Sequence, residues 1–286
     1  SIHDEIDTDS RCDVPVYPYQ WVLRPRHRLW NFRLLEFMLR ILFLLLLSTA
    51  AAAQFPVSPN AYDDKGLRTG HWTVLYDSAW KETSIADSAI HYRLVRFESG
   101  KPSGKVRDFY RNGTRQWEGE LISVNPDVQH GIITYFFENG KPRYNYEARD
   151  GKMNGFFKEY STRGILLQEG YMKNDSMTGT WIIYNSDGIK SMVLEKKRNL
   201  NNGTVVSLFP DGSIEKRGYK IDDLTEGLWE EYYPNGKLKS REHFHLGKYH
   251  GPGKTYYENG QLESEGQYMN DLPSGVWHVY HENGQL

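Results

Sequence analysis

The chain has 286 residues, with 35 Lys and Arg against 37 Asp and Glu, and a formal net charge of -2 when His is neutral. This balance excludes a strongly basic nucleic-acid-binding protein, and a hydrophobic content of 38% excludes a wholly disordered chain. The single cysteine, Cys12, excludes an internal disulfide and a metal site built from cysteines.

The first predicted element is a secretory signal peptide over residues 38–53. Arg40 supplies positive charge, residues 41–47 form an unbroken apolar run, and small residues follow up to Ala53. The run is shorter than the roughly 17–25 apolar residues of a transmembrane helix, so a buried helix or an uncleaved signal anchor are the alternatives. Cleavage after Ala53 predicts a secreted or periplasmic protein that starts at Gln54 and contains no cysteine.

Three further segments complete the predicted organisation. Residues 1–37 mix acids, Arg and Pro without a clear period, and we predict an upstream segment that is disordered or outside the natural chain. Residues 54–66 are predicted to form a linker. Residues 67–286 are predicted to hold nine repeats of about 24 residues.

Glycines define the repeat. The anchor glycines that open the units are Gly70, Gly104, Gly131, Gly155, Gly179, Gly203, Gly227, Gly251 and Gly275. They are 24 residues apart from Gly131 onward, whereas the two earlier steps are 34 and 27 residues. The longer steps indicate two insertions, one around residues 77–87 and one near residues 125–127.

A second glycine follows the anchor by nine residues in every unit but the first. These turn glycines are Gly113, Gly140, Gly164, Gly188, Gly212, Gly236, Gly260 and Gly284. Most follow Asn or Asp, and such pairs favour a type I′ hairpin turn with two residues at positive φ. Short runs rich in aromatic and β-branched residues flank each pair and are typical of strands. Each unit is therefore predicted to be one β-hairpin, with the next anchor glycine making the return turn.

Two rows of structural aromatic residues follow from the repeat. Two residues after the anchor come Trp72, Phe157, Trp181, Trp229 and Trp277, and five after it come Tyr160, Tyr184, Tyr232, Tyr256 and Tyr280. An odd separation predicts that the rows lie on opposite faces of the sheet unless a bulge intervenes. The fold class predicted is all-β: a signal helix followed by an elongated, single-layer, twisted meander or solenoid of antiparallel hairpins.

The repeat resembles the MORN repeat variant of bacterial exported 24-residue repeat proteins, some of which are called YwqK-type antitoxins. The resemblance extends from Gly70 to Leu286 and is carried by units such as residues 227–238, GLWEEYYPNGKL. It implies an antiparallel sheet that mediates protein or membrane contacts, without a catalytic apparatus.

The remaining sequence motifs favour a protein that is not an enzyme. No nucleophile and base occur at a recognisable spacing, so no catalytic residue, cofactor site or metal site is predicted. Two alternatives stay open: a carboxylate pair that catalyses hydrolysis, and a metal site begun by His243 and His245 on one strand face.

The predicted function is an exported, non-catalytic scaffold that binds an unknown protein or a component of the cell envelope through an aromatic face. The alternatives are contact with a phospholipid membrane surface and neutralisation of a toxin. Nucleic acid is not an expected partner. The last unit lacks most of its returning strand, so Trp277 and the residues after it should lie near an open sheet edge, where a second copy could pair.

Overall fold

The computed structural model describes residues 55–286, which form an all-β protein without an α-helix in that range. Nineteen antiparallel strands form one meander sheet, in which nearly every strand pairs with the strands before and after it in the chain. The all-β hairpin array predicted from the repeat is thereby confirmed. The predicted signal peptide lies outside the described residues. Within them, no helix is long and apolar enough to span a membrane.

The strands are short and regular, most of them eight or nine residues long. The first half of the sheet comprises β1 (Ala61–Tyr62), β2 (Arg68–Tyr76), β3 (Glu82–Thr83), β4 (His91–Glu98), β5 (Lys101–Tyr110), β6 (Arg115–Ser123), β7 (Val128–Phe136), β8 (Pro142–Arg149) and β9 (Lys152–Tyr160). The second half comprises β10 (Leu166–Lys173), β11 (Ser176–Tyr184), β12 (Lys190–Lys197), β13 (Leu200–Leu208), β14 (Ile214–Ile221), β15 (Leu224–Tyr232), β16 (Leu238–His245), β17 (Lys248–Tyr256), β18 (Leu262–Met269) and β19 (Leu272–Val279). A single 3-10 turn, Ala86–Ser88, lies between β3 and β4.

The outer edge of β2 is covered by short segments. One end of β2 pairs with β1 and the other end with β3, while its inner edge pairs with β4. Between the two short strands, the side chain of Asn60 exchanges hydrogen bonds with the backbone of Thr73. Backbone groups that would otherwise template pairing with another chain are thus occupied along this edge.

The hairpin loops differ from the predicted type I′ turn. In the loop after β15, the amide of Gly236 donates to the carbonyl of Tyr233, and the amide of Tyr233 donates to the carbonyl of Lys237. Gly236 has a φ of 80°, whereas Asn235 does not have a positive φ. The loop is therefore a type I turn followed by one left-handed glycine, the three-residue hairpin with a G1 bulge. Asn235 acts through its side chain, whose Oδ1 accepts the amide of Lys237 at 3.0 Å.

The return turns also differ from the prediction, because the anchor glycines do not form them. The anchor glycines lie inside strands at positive φ, and opposite every one but Gly70 the pairing register shifts, as it does opposite Gly227. These eight are bulge positions. The return turns are two-residue turns four to five residues earlier, such as Asp222–Asp223, with both residues at positive φ. The type I′ geometry therefore exists in this protein, at the opposite end of each hairpin and mostly without glycine.

Each return turn also braces the preceding unit. The amide of Asp223 donates to the carbonyl of Asn201 at 2.9 Å, and the Oδ1 of Asp223 accepts the amide of Asn201 at 2.8 Å. The same pair of bonds joins Asp175 to Met153. Because a single hairpin is marginally stable, these contacts between neighbouring units contribute to the stability of the array.

One face of the sheet carries most of the core, and we call it the Trp face. It presents Trp72, Trp117, Trp181, Trp229 and Trp277. Two buried clusters lie on it, one spanning β2 to β8 and one spanning β10 to β15. Trp181 is fully buried, and its neighbours across the strands are Leu194 and Gly170. Met153 and Phe157 pack against both clusters and connect them.

The tyrosine row lies on the opposite face, as the odd separation in sequence predicts. The hydroxyl groups of Tyr184 and Tyr232 donate to Glu169 and Glu230, at 2.6 and 2.9 Å. Glu230 is adjacent to Trp229 and therefore points to the other side of the sheet. Its side chain is 8% exposed and also accepts hydrogen bonds from Arg217 and Arg241.

Replacing Glu230 with Gln is expected to lower the free energy of unfolding by about 1–3 kcal/mol at pH 7, because charge-assisted hydrogen bonds are lost. Burial raises the pKa of Glu230, but the hydrogen bonds from Arg217 and Arg241 outweigh it and lower the pKa from 4.5 to about 2. A lowered pKa in the folded state means that this stabilisation is present above about pH 4.5 and is lost as the pH falls towards 2.

Urea unfolding of both proteins at pH 7 and pH 3 measures this effect. The difference between them should be smaller at pH 3. Glu215→Gln in the same sheet is the control, because Glu215 is exposed, and it should change stability by less than about 0.5 kcal/mol. A difference that is equal at both pH values would contradict the assigned role of Glu230.

Candidate functional site

A cavity of about 310 Å³ opens on the Trp face in the first half of the sheet. We call it the Arg93 cavity; its lining residues are Trp80, Arg93, Asp108, Gln116, Trp117, Asp127, Gln129 and Tyr135. Four of these come from paired positions on consecutive strands, since Arg93 faces Asp108, Asp108 faces Trp117, and Trp117 faces Tyr135. Because paired residues on neighbouring strands point to the same side of a sheet, this row places two charged and two aromatic side chains together on the Trp face.

A buried ion-pair network forms the floor of the cavity. Arg93 is 4% exposed and donates to both carboxylate oxygens of Asp108, from Nε at 2.7 Å and from Nη2 at 2.8 Å. It also donates to both oxygens of Asp127, from Nη1 at 2.9 Å and from Nη2 at 2.6 Å. Asp108 is 6% exposed in its side chain and Asp127 is 41% exposed. One guanidinium thereby holds two carboxylates, which leaves a formal charge of one negative unit.

Aromatic rings surround this network. The Arg93 guanidinium carbon lies 5.4 Å from the ring centroid of Tyr76 and 6.0 Å from that of Trp117. The ring of Trp80 stacks on His91, with centroids 4.4 Å apart and 14° between the planes. Trp80 itself is 40% exposed. The cavity therefore combines a desolvated charged floor with one large aromatic ring at its surface.

Trp80 occupies a position that glycine holds in the other hairpin loops. The amide of Trp80 donates to the carbonyl of Asp77, and the amide of Asp77 donates to the carbonyl of Lys81, in the pattern described above for Gly236. The φ of Trp80 is 58°. A bulky residue in this region is a conformational outlier that costs of order 1–3 kcal/mol and is typical of functional sites.

Both insertions in the repeat contribute to this cavity. Trp80 lies in the insertion around residues 77–87, and Asp127 lies in the insertion near residues 125–127. Asp127 and Arg93 are 34 residues apart in sequence and form two hydrogen bonds. The two departures from the 24-residue period therefore meet at one place in the fold.

A wider aromatic groove of about 580 Å³ lies beside the cavity on the Trp face. It is lined by Tyr135, Arg143, Tyr144, Tyr146, Met153, Phe157 and Glu159. Tyr135 lines both spaces. Gln129 links them as well, because its Oε1 accepts the hydroxyl of Tyr146 at 2.7 Å and its Nε2 donates to the hydroxyl of Tyr135 at 3.0 Å. The cavity and the groove are therefore neighbours on this face, with Tyr135 in the lining of both.

Burial dominates the electrostatics of the cavity. It raises the pKa of Asp108, against the opposing effect of the Arg93 hydrogen bonds, and raises the pKa of Tyr76 to about 12. Burial lowers the pKa of His91, so this imidazole is neutral at pH 7. It also lowers the pKa of Arg93, but the hydrogen bonds to the two carboxylates outweigh that effect, and the net shift is upward. The guanidinium is therefore charged at every accessible pH.

Two polar atoms of the lining residues have no hydrogen-bond partner among residues 55–286. They are the Nε1 donor of Trp117, a residue that is 4% exposed, and the Oε1 acceptor of Gln116. Buried polar groups are normally hydrogen-bonded, and an unpartnered one costs about 1–3 kcal/mol. Both atoms are buried beneath the cavity surface, so each adds this cost to the folded protein.

The turn glycines and the two aromatic rows identified from the sequence lie at positions that support the fold. The eight turn glycines all have positive φ, between 78° and 90°. Trp72, Phe157, Trp181 and Trp229 lie in or beside the core clusters, and the tyrosine row lies on the opposite face. Of these residues only Phe157 lines the groove, and none lines the Arg93 cavity.

The two histidines considered as metal ligands have other partners. The Nδ1 of His243 lies 3.0 Å from the carbonyl of Pro252, and the Nδ1 of His245 lies 3.0 Å from Glu226. No group of three or more potential metal ligands occurs in the part of the chain that the structure describes.

The site residues Arg93, Asp108 and Trp117 were missed by the sequence analysis. A signal existed for Asp108, which lies two residues after the buried Val106 and so points to the same face of β5. The insertions that carry Trp80 and Asp127 were recognised, but not the convergence of the two.

Comparison with known proteins supports the repeat. The sequence model of the MORN repeat variant matches residues 129–147, 225–245 and 249–270. Each matched stretch covers the two strands of one hairpin: β7 and β8, β15 and β16, or β17 and β18. MORN repeats of this kind suggest a repeat-based interaction scaffold. No curated protein matches the sequence.

Proposed function

We propose that the protein is an exported, non-catalytic scaffold that binds a component of the cell envelope at the Arg93 cavity. The observation that carries this proposal is the convergence of both repeat insertions on one cavity. The tryptophan at the glycine position of its hairpin loop strains the backbone, and although its ring stacks on His91 it stays 40% exposed, which gives a binding site an aromatic surface.

The carboxylates of the cavity support a non-catalytic role. Catalysis by a carboxylate pair needs one group that donates a proton and one that accepts it or attacks. Here all four oxygens of Asp108 and Asp127 accept hydrogen bonds from Arg93. The shared guanidinium fixes the orientation of both carboxylates, which suits recognition better than proton transfer.

Export is the second part of the proposal, and it is supported by the charged, apolar and small-residue pattern of residues 38–53. Expression of the full chain in a bacterial host, followed by N-terminal sequencing of the periplasmic or secreted product, tests it. The expected first residue is Gln54. A mature product that retains residues 1–37 would contradict export by this signal.

Binding is tested with immobilised full-length protein and a detergent-free extract of the cell envelope, titrated to obtain an apparent affinity. The variant Trp80→Gly is expected to bind at least tenfold more weakly than the wild type. Glycine suits the backbone of this position, so the hairpin is retained. Tyr219→Ala is the matched control, because Tyr219 is 44% exposed and lies on the opposite face of the sheet. Equal binding by all three proteins would refute the cavity as the binding site.

A further inference from the structure

Three histidines lie together on the face of the sheet opposite the Trp face. His243 and His245 are two residues apart in β16, and Phe244 between them packs against the core of the Trp face, so both imidazoles point to the other side. His250 on β17 directly follows Tyr249, whose ring packs on Phe244, and it also points away from the Trp face. The ring centroids of His245 and His250 are 6.1 Å apart. The hairpin of β16 and β17 thus brings three imidazoles to one place on the sheet surface.

The repeat does not account for these histidines. The units on either side have no histidine at the three corresponding positions, which hold Tyr219, Ile221 and Glu226 in the unit before and Gln267, Met269 and Ser274 in the unit after. In both of those units the first and third of these positions pair across the strands, which places His243 beside His250. Since the neighbouring hairpins have the same fold without them, the three histidines point to a function of this unit.

Hydrogen bonds fix the tautomer of two of the imidazoles. The Nδ1 of His243 lies 3.0 Å from the carbonyl of Pro252, and a carbonyl only accepts, so Nδ1 carries the proton. The Nδ1 of His245 lies 3.0 Å from Oε1 of Glu226 and donates to it in the same way. In each neutral ring the Nε2 lone pair is then free, and no described residue donates to it. Metal-binding histidines have this arrangement, in which the other ring nitrogen donates to a backbone carbonyl or a carboxylate.

The exposure of the side chains allows the ring nitrogens to reach one metal ion. In the orientations that the structure shows, no three ligating side chains converge within residues 55–286, so binding requires rotation of the rings. His245 is 59% exposed and His250 is exposed as well, and both are free to change rotamer. Two imidazoles on one tetrahedral Zn²⁺, with Zn–N distances of about 2.0–2.1 Å, have centroids about 5 Å apart, close to the separation of these two rings.

We propose that the hairpin of β16 and β17 binds one divalent transition-metal ion such as Zn²⁺, through Nε2 of His243 and His245 and a ring nitrogen of His250. Imidazole ligands favour Zn²⁺, Cu²⁺ and Ni²⁺, whereas Mg²⁺ and Ca²⁺ prefer oxygen ligands. Glu226 is a positioning residue, because it holds the ring of His245 through Nδ1. Three protein ligands leave the fourth position of Zn²⁺ open to water or to a donor group of a binding partner. The site lies on the face opposite the Arg93 cavity and does not depend on the binding proposed there.

The test measures binding of ZnCl₂ to the full-length protein without an affinity tag, by calorimetry at pH 7.5, with MgCl₂ as a second probe. One Zn²⁺ per chain is expected to bind with a dissociation constant below about 10 μM, whereas Mg²⁺ should bind far more weakly. At pH 5.5 the Zn²⁺ affinity should fall by about tenfold or more, because protons compete for the imidazole nitrogens.

Five variants separate the ligands from their surroundings. His243→Gln, His245→Gln and His250→Gln should each weaken Zn²⁺ binding by about tenfold or more, since each removes one of three ligands. Glu226→Gln should weaken it about tenfold through the ring of His245, with the urea unfolding midpoint unchanged. His278→Gln is the matched control, because it changes an exposed histidine of β19, and it should bind as the wild type does. Circular dichroism confirms that each variant is folded.

The outcomes distinguish a metal site from casual binding to surface histidines. A dissociation constant above about 10 μM for Zn²⁺ overturns the inference. So does equal binding by the wild type and any one of the three histidine variants, or a loss in His278→Gln as large as the loss in His243→Gln. Each of these results leaves the binding of envelope extracts through Trp80 unaffected, and equal envelope binding by the wild type and Trp80→Gly leaves the metal site unaffected.

Discussion

Replacing Arg93 with Met is expected to lower the free energy of unfolding by about 3–5 kcal/mol at pH 7. Asp108 lies in the core of the Trp face with a side chain that is 6% exposed, and Arg93 neutralises it through two hydrogen bonds. Methionine fills similar space but leaves an uncompensated buried charge. Urea unfolding measures the loss. Arg96→Met is the control, since Arg96 is 56% exposed, and it should cost less than about 0.5 kcal/mol.

Two further measurements assign the loss to the charge of Asp108. Burial raises the pKa of Asp108 and the Arg93 hydrogen bonds oppose that rise, so removal of Arg93 raises the pKa further. A raised pKa in the folded state means that the folded variant takes up the proton first, so the deficit should shrink as the pH falls from 7 to 5. Adding Asp108→Asn to Arg93→Met should recover about 2 kcal/mol. A deficit below about 1 kcal/mol that does not change with pH would contradict this account.

The fold was predictable because glycine recurs at a fixed period. Glycine at such positions indicates positive φ, which other residues rarely adopt, and so marks the turns and bulges of each hairpin. Gly236 and its equivalents have positive φ. The strands between them can bury their apolar side chains only against the neighbouring hairpin. The type of turn was not predictable from the Asn-Gly pair alone. Such a pair is compatible with a type I′ turn and also with a type I turn followed by a left-handed glycine. Loop length decides between them, and it depends on the pairing register of the flanking strands.

The candidate site was not predictable for a different reason. Arg93, Asp108 and Asp127 are ordinary charged residues in sequence, and most such residues on a strand face solvent. Whether they form a site depends on the pairing register, which decides the face of the sheet to which each side chain points. It also depends on the insertion that holds Asp127, 34 residues after Arg93. The loop that contains Trp80 could have been recognised from the sequence. It belongs to the unit that opens at Gly70, the only one of the nine units without a turn glycine. When one loop of a regular array lacks the turn glycine, the residue in its place is expected to serve a purpose other than forming the turn.

A second set of glycines has a packing role that the repeat spacing did not assign. These are Gly119, Gly170, Gly218 and Gly266, which lie in strands without positive φ. A Cβ at Gly218 would overlap the indole of Trp229 on the next strand, and a Cβ at Gly266 would overlap that of Trp277. The missing side chain therefore provides the space in which Trp181, Trp229 and Trp277 lie across the sheet, and at Gly119 it provides space for Ile133.

Replacing Gly218 with Ala is expected to lower the free energy of unfolding by about 3 kcal/mol, because the added methyl group must displace Trp229. Trp229 is 7% exposed, and its Nε1 donates to the carbonyl of Tyr219 at 3.1 Å, so its displacement opens the core and breaks a hydrogen bond. Elsewhere in a strand the same substitution would be neutral or stabilising, since alanine restricts the unfolded chain more than glycine does. The sign of the effect therefore reports the contact with Trp229. Urea unfolding measures it, with Tyr219→Ala on the opposite face as the control.

A double-mutant cycle with Trp229→Val isolates the contact. Trp229→Val alone should cost about 3–5 kcal/mol, since it removes most of a buried aromatic side chain. In that background Gly218→Ala should cost less than about 0.5 kcal/mol, because valine leaves room for the methyl group, as the pairing of Val205 with Gly218 on the other side of the strand already suggests. The coupling free energy between the two positions should therefore be about 2–3 kcal/mol in magnitude. Additive losses in the double variant would show that Gly218 is needed for its backbone conformation and not for the space it gives Trp229.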